Sequence, residues 1–256
     1  ANSTNDRPAD SGSTIGNYAV LNSVQGVWNS AVTLSDGNLV AAGTAASTGL
    51  VMGTISVSEG KWFVAWKPAA MAGGNGTPYL VNETCYTARD AAPENTTNGW
   101  NLTMYDGSSE IYARSNSSTR TYSGAVATGD LFMLCLDVDA GKMWWGWYDT
   151  SGTTAYWLDG STGFTGDPAA GTNPTYTITA NDTYYIGSYG YTGRSGEIDF
   201  GQTGLYTGTV PSGFTYALNT ANLPAPSITK PSDHFLPIIY EGNGGGQRVG
   251  NFIPFT

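Results

Sequence analysis

The segment from Asp130 to Tyr148 constrains the fold more than any other part of the sequence. It holds two apolar runs separated by Asp139-Ala140-Gly141, which is typical of a hairpin turn. Because alternate side chains of a strand share a face, Trp145 and Trp147 share one face of the second strand. The first strand groups Phe132, Leu134, Leu136 and Val138 in the same way. Both faces of the hairpin are apolar, so Trp145 and Trp147 are predicted to pack between two sheets.

Similar short runs recur along the chain between clusters of Gly, Asn, Asp and Ser, and no window shows a sustained 3.6-residue period. Glycine makes up 35 of the 256 residues, about twice its ordinary share, as expected of a chain with many turns. The predicted strands are Tyr18–Leu21, Asn38–Ala41, Leu50–Val57, Lys61–Trp66, Gly99–Tyr105, Glu110–Arg114, Asp130–Val138, Lys142–Tyr148, Thr175–Ala180, Thr183–Ser188 and Glu197–Gly201. We therefore expect an all-β fold, a two-sheet antiparallel β-sandwich.

Charge and composition exclude several classes of function. The net charge is -10, and the ten basic residues are scattered singly, so a nucleic-acid partner is excluded. No run of eighteen apolar residues is present, and we expect no membrane insertion. Neither Cys85 nor Cys135 belongs to a CxxC pair, and Cys135 is predicted to be a core residue. The single histidine, His234, has no nearby ligand cluster, so we expect no metal site and no Ser-His-Asp triad built on it.

The strongest catalytic signal is Glu197-Ile198-Asp199, which resembles the carboxylate strand of family 16 glycoside hydrolases, also β-sandwiches. Retaining hydrolysis needs a second carboxyl group as general acid, about 5–5.5 Å from the nucleophile. Gln202 stands where that acid would be, and an amide cannot donate and recover a proton near neutral pH. We predict that the chain is not an enzyme, that it has no catalytic residues, and that Glu197 and Asp199 are exposed on a polar face. A second acidic pair, Asp137 and Asp139, is interpreted as turn residues and not as a calcium site.

Residues 184–196 are dense in Tyr, Ser and Gly, a mixture that gives binding surfaces a large contact area at low entropic cost. The first part is predicted to be a strand and the second part a loop. The candidate binding residues are Tyr185, Tyr189, Tyr191 and Arg194. Recognition of a partner and simple decoration of the surface are both open interpretations of these tyrosines.

From Leu223 the sequence changes character, because Pro224, Pro226 and Pro231 favour an extended connector over residues 223–232. We expect a sandwich domain over residues 1–222, and a connector with the start of a further segment over 223–256. Apolar residues in that segment would need cover, which suggests strand addition between subunits and a homo-oligomer. The candidate assembly residues are Phe235, Tyr240, Phe252 and Phe255.

Several blocks resemble a SPRY (B30.2-like) module of the type found in structural and tail-fibre proteins of tailed bacteriophages. The blocks that carry the resemblance are Thr14–Tyr18 with Leu21-Asn22, Leu34–Leu39, Gly60–Phe63, Gly129-Asp130 with Leu134–Lys142, Phe200–Gln202, Pro211–Phe214, Ala217–Pro226 and Tyr240–Gly244. Two stretches depart from the usual pattern: Trp144–Trp147 is more aromatic, and Tyr148–Tyr176 is longer and richer in Gly and Thr.

The resemblance implies a twisted sandwich that binds partners through loops at one end, without a cofactor and without chemistry. It further implies a virion protein in a tail fibre or another host-contacting appendage. Its partners would be other virion proteins and a protein or glycan of the host surface. A capsid decoration (cement) protein is the first alternative, and a family 16-like carbohydrate-active sandwich is the second.

Overall fold

The computed structural model describes residues 16–24, 27–28, 32–44, 49–68, 77–89, 92–104, 110–124, 126–190 and 195–224. Within these ranges the chain forms fifteen strands and one short α-helix. The strands are β1 (Val27–Trp28), β2 (Val32–Ser35), β3 (Val40–Gly43), β4 (Gly49–Val57), β5 (Lys61–Pro68), β6 (Thr77–Asn82), β7 (Gly99–Met104), β8 (Glu110–Ser115), β9 (Ser118–Ser123), β10 (Leu131–Asp137), β11 (Lys142–Asp149), β12 (Thr154–Trp157), β13 (Tyr176–Thr177), β14 (Tyr184–Gly190) and β15 (Ser195–Asp199). The helix, α1, spans Glu83–Ala88, and a 3-10 turn follows at Pro93–Asn95.

The strands form two antiparallel sheets, so the predicted all-β sandwich is confirmed. A seven-stranded sheet has the order β1-β4-β14-β6-β7-β8-β9. An eight-stranded sheet has the order β12-β11-β10-β5-β15-β3-β2, with β13 paired to β11. Strands β14 and β15 are consecutive in the chain but lie in different sheets.

The hairpin of β10 and β11 lies at the centre of the fold, as the sequence predicts. Leu134 pairs with Trp145 and Phe132 pairs with Trp147. Both tryptophans belong to the core between the sheets, with 0% and 6% of their surface exposed. Trp147 also donates its indole N–H to Asp130 at 3.0 Å. Their predicted burial between two sheets is therefore confirmed.

The turn of this hairpin uses the acidic pair as the sequence interpretation requires. Asp137 forms a salt bridge with Lys61 at 2.8 Å and accepts the backbone N–H of Ala140. Asp139 accepts the backbone N–H of Gly60 at 2.8 Å. Within the described residues, no group of three or more His, Cys, Asp or Glu side chains is placed to hold a metal ion.

Some predicted strand boundaries are wrong. Tyr18 and Leu21 make only isolated bridges, and Thr175–Ala180 reduces to the two residues of β13. Five strands have no counterpart in the prediction: β1, β2, β6, β9 and β12. Most of these are short or lie at sheet edges, where the apolar alternation that marks a strand is weakest.

The predicted exposure of Asp199 is also wrong, because its side chain is completely buried. A segment over residues 203–216 packs on the outer face of the eight-stranded sheet and covers this carboxylate. Asp199 accepts hydrogen bonds from the hydroxyl of Tyr216 at 2.6 Å and from backbone N–H groups, including that of Leu205. Burial acts to raise the pKa of Asp199, but these donors outweigh it and hold the pKa below its ordinary value. Glu197 is only half-buried, and burial raises its pKa.

Gln202 has a structural position of its own. Its amide oxygen accepts the backbone N–H of Phe200, and its amide nitrogen donates to the carbonyl of Ala19 at 3.0 Å. Gly201 beside it has a φ of 106°, and an added Cβ would overlap the carbonyl of Tyr216. This glycine therefore lets the segment after β15 turn tightly against the sheet.

Cys85 and Cys135 are both buried and are not joined to each other, and Cys135 is a core residue as predicted. The described residues include no helix with the length and hydropathy needed to cross a membrane. Leu223 packs against the core, and the compact unit that contains the sandwich ends there. The candidate binding residues Tyr191 and Arg194 lie outside the described residues, as does His234. So do the candidate assembly residues Phe235, Tyr240, Phe252 and Phe255.

Candidate binding face

The outer face of the seven-stranded sheet carries a cluster of half-buried tyrosines, Tyr86, Tyr185 and Tyr189, which we call the tyrosine face. Strand β14 supplies two of them, because its odd-numbered residues point away from the core while Tyr184 and Ile186 point into it. Helix α1 supplies Tyr86. The tyrosines rest on a small buried cluster formed by Trp28, Leu50, Met52, Tyr79, Val81 and Cys85.

Tyr185 is held in one orientation by two contacts with α1. Its ring stacks on Tyr86, with centroids 3.8 Å apart and an angle of 2° between the planes. Its hydroxyl donates to Glu83 at 2.6 Å. Asn82 caps this helix by accepting the backbone N–H of Cys85, so the platform under Tyr185 is itself fixed.

Tyr189 lies against Tyr79, with ring centroids 5.9 Å apart. The hydroxyl of Tyr79 donates to Glu94 at 2.8 Å and accepts from the side-chain amide of Asn101 at 2.8 Å. Burial and the nearby Glu94 charge raise the pKa of Tyr79 well above its usual value. The phenol of Tyr79 is therefore neutral, and its hydroxyl has both a donor and an acceptor as partners. Its ring supports the more exposed ring of Tyr189.

Gly187 separates the two tyrosines of β14. An added Cβ there would meet the carbonyl oxygen of Val51 and the sulfur of Met52. The absence of a side chain thus lets Met52 fill the space between Tyr185 and Tyr189. Substitution at Gly187 would push these neighbours apart and change the spacing of the tyrosine face.

The tyrosine face has neutral rings beside acidic groups. Burial, together with the hydrogen bond and charge of Glu83, raises the pKa of Tyr185 to about 12, so its hydroxyl stays protonated at neutral pH. Rigid neutral rings with polar edges suit non-covalent recognition, because large rings bury area while losing little side-chain entropy.

Sequence reasoning located only part of this surface. Tyr185 and Tyr189 were predicted and lie side by side on one strand. No local sequence pattern indicates Tyr86 or Tyr79, because they reach the face from other elements. For Tyr86, the only local signal is Asn82 as the cap of α1, and Asn82 followed three residues later by Cys85 is a weak cap pattern. Tyr79 reaches this face only because β6 pairs with β14.

No family model matches the chain, and no curated protein matches it. Among solved structures, the PSpry domain of TRIM65 is similar to it with a TM-score of 0.51 and 13% identity, over 71% of this chain and 91% of that one. The SPRY domain of human HERC1 is similar with a TM-score of 0.48 and 13% identity, over 70% and 96% of the two chains. At this level of identity the likeness concerns the fold, and the fold of this chain is a SPRY-like β-sandwich.

Proposed function

We propose that this chain is a non-catalytic binding module of a bacteriophage virion, located in a tail fibre or another host-contacting appendage. The observation that carries the binding role is the tyrosine face, where Tyr185 and Tyr86 are stacked and fixed before any partner arrives. A surface ordered in advance loses little conformational entropy on binding. The SPRY-like fold is compatible with this role, and the phage assignment depends on the sequence resemblance described above.

The contacts of the carboxylates support a role without chemistry. Both oxygens of Asp199 accept hydrogen bonds within the loop that covers them, and Gln202 is engaged with backbone groups. A retaining glycosidase needs two carboxyl groups open to the same sugar. Capsid decoration remains the alternative place in the particle, since a cement protein would also use a fixed aromatic surface.

Binding to bacterial cells tests the host-contact role. We expect dye-labelled protein to be retained on cells of at least one strain in a panel, and the double substitution Tyr86→Ser with Tyr189→Ser to abolish retention. Tyr112→Ser is the matched control, because Tyr112 is half-buried on the same sheet, three strands away from β14. Equal retention of the double variant and the wild type would contradict the role of the tyrosine face. Binding to phage heads and to no cell would favour the cement protein.

The proposed partners include other virion proteins and further copies of this chain, joined through the assembly residues in 223–256. Because Leu223 packs on the sandwich core, truncation is best placed after Pro224. We expect the truncated protein to be folded and monomeric and the full chain to be oligomeric, as measured by light scattering at matched concentration. Equal masses would contradict the assembly role. A position in a virion reconstruction would separate tail fibre from capsid.

A further inference from the structure

A pocket of about 300 Å³ opens at the seam where the β9 edge of the seven-stranded sheet meets β13 of the other sheet. Its lining includes Trp100, Asn116, Ser118, Arg120, Tyr176 and Thr177. It is separate from the tyrosine face, because Trp100 and Arg120 point toward the space between the sheets. Ligand pockets span roughly 300–1,000 Å³, so this volume suits one small group and not a protein segment.

Arg120 brings a positive charge into this pocket. Its guanidinium carbon lies 4.2 Å from the centroid of the Tyr176 ring, and one of its nitrogens donates to the carbonyl of Thr175. In the part of the chain that the structure describes, Arg120 has no salt bridge to a carboxylate. In a protein with a net charge of -10, this cation is therefore one that no described carboxylate pairs with.

Tyr176 does not neutralise Arg120 either. Burial raises the pKa of Tyr176 to about 12, although the Arg120 charge acts in the opposite direction, so the phenol is neutral at ordinary pH. A planar guanidinium stacked on a ring keeps its edge donors in a fixed plane and is suited to a carboxylate. The charge in the pocket thus favours an anionic ligand.

The remaining walls favour a sugar over a simple inorganic anion. Trp100, which is largely buried, and Tyr176 both line the pocket and offer aromatic surface to the apolar face of a pyranose. Hydroxyl groups of Ser118 and Thr177 and the amide of Asn116 line the same pocket, and such groups can exchange hydrogen bonds with ring hydroxyls. An inorganic phosphate or sulfate would use the arginine and leave the aromatic walls without a partner.

The rim of the pocket is fixed before any ligand binds. Asn116 and Ser117 form the turn between β8 and β9, with φ values of 51° and 57°. Their backbone N–H groups donate to the carbonyls of Thr96 and Glu94 at 2.9 and 3.0 Å. The hairpin tip is therefore tied to the 3-10 turn at Pro93–Asn95, and a ligand would not have to order it.

We propose that the seam pocket binds a carboxylated sugar unit, with Arg120 taking the carboxylate and Trp100 and Tyr176 packing against the ring. This inference goes beyond the proposed function and does not rest on the tyrosine face.

Titration of the full chain with methyl glucuronide, followed by NMR or calorimetry, tests the proposal. We expect saturable binding, and at least tenfold weaker binding of the neutral methyl glucoside, because a hydrogen bond to a charged group is lost. Arg120→Gln should weaken binding of the glucuronide by a similar factor. Arg89→Gln removes the same charge at an exposed site outside the pocket and should leave binding unchanged.

A second variant tests the location of the pocket independently, so the proposal stays testable if Arg120→Gln fails to fold. Ser118 is exposed at the rim, so Ser118→Trp should fill the pocket without touching the core, and it should abolish binding while the melting temperature is kept. Full binding by Ser118→Trp would overturn the location. Equal binding of glucuronide and glucoside would overturn the role of the charge. Inorganic phosphate that binds as tightly as the glucuronide would overturn the sugar assignment, and so would the absence of any binding.

Discussion

The two outer faces of the sandwich are both aromatic, but the residues that the structure describes cover only one of them completely. On the eight-stranded sheet, residues 203–216 bury Phe63 and Asp199, and Tyr206 is 6% exposed. On the seven-stranded sheet, one six-residue helix gives partial cover, and Tyr185 and Tyr189 stay half-exposed. We refer to these as the closed face and the tyrosine face.

A hydrogen bond from a tyrosine hydroxyl to a carboxylate occurs on both faces, but it contributes differently to stability on each. Tyr216 donates to Asp199 on the closed face and Tyr185 donates to Glu83 on the tyrosine face, each at 2.6 Å. Asp199 is fully buried, whereas Glu83 is exposed, so water competes only for the second bond. Buried charged hydrogen bonds therefore stabilise the closed face, while the polar edges of the tyrosine face stay in contact with water.

The core that both faces share should give the largest effect. Trp145→Ala removes a fully buried ring between the sheets and should lower the free energy of unfolding by about 3–5 kcal/mol, as measured in urea. Val24→Ala is the control, because Val24 is 86% exposed and should change the value by less than about 0.5 kcal/mol. A Trp145→Ala variant as stable as the wild type would contradict the central position of the hairpin.

On the closed face, Asp199→Asn should cost about 3 kcal/mol, because it replaces a buried charge that several donors surround. The matched change on the other face, Glu83→Gln, should cost less than about 1 kcal/mol, since Glu83 is exposed. Denaturant unfolding of both variants at pH 7 measures the difference. Equal losses in the free energy of unfolding would mean that the carboxylates of the two faces contribute equally to stability, against the prediction.

Acid should reduce the effect of Asp199→Asn. The pKa of Asp199 in the folded protein lies below its ordinary value, because hydrogen-bond donors outweigh the effect of burial. A lowered folded pKa gives stability that is present above the unfolded value and is lost as pH falls through the folded value. The stability gap between wild type and Asp199→Asn should thus be full at pH 7 and should narrow below about pH 4. A stability difference that widens in acid would mean that folding raises the pKa of Asp199 and does not lower it.

How much of this fold the sequence predicts depends on the strength of local alternation. The hairpin of β10 and β11 was predicted almost to the residue, because its apolar runs are long and its turn is typical. Strand β9 was missed, because Ser118–Ser123 is a polar edge strand. Helix α1 was missed since six residues are too few to show a 3.6-residue period.

The sites were harder to predict than the fold. Tyr185 and Tyr189 share one strand, so a local pattern finds them. Trp100, Arg120 and Tyr176 line one pocket but belong to three strands in two sheets. Their residue types are ordinary and only the pairing of strands unites them. The burial of Asp199 was missed for the same reason, because the loop that covers it follows the strand and gives no periodic signal.

A smaller effect comes from removing single hydroxyl groups. Tyr216→Phe should cost about 2 kcal/mol, because it takes a donor from a buried carboxylate. Tyr185→Phe should cost at most about 0.5 kcal/mol, since its ring stack on Tyr86 is kept and its acceptor is exposed. Thermal and urea unfolding of the two variants compare the faces at constant side-chain size. A larger loss of stability for Tyr185→Phe than for Tyr216→Phe would contradict the distinction between the closed face and the tyrosine face.

The smallest expected effect is none at all, and it concerns chemistry on the closed face. Glu197 and Asp199 point to the same side of β15, but Asp199 is enclosed by the segment that follows it. Gln202 is held by Phe200 and Ala19, so no second carboxyl group faces Glu197 from this loop. We therefore expect no release of reducing sugar from β-glucans or galactans, with wild type and Glu197→Gln alike. Turnover by the wild type that Glu197→Gln abolishes would show that the closed face opens to substrate, and the proposal of a purely binding module would fail.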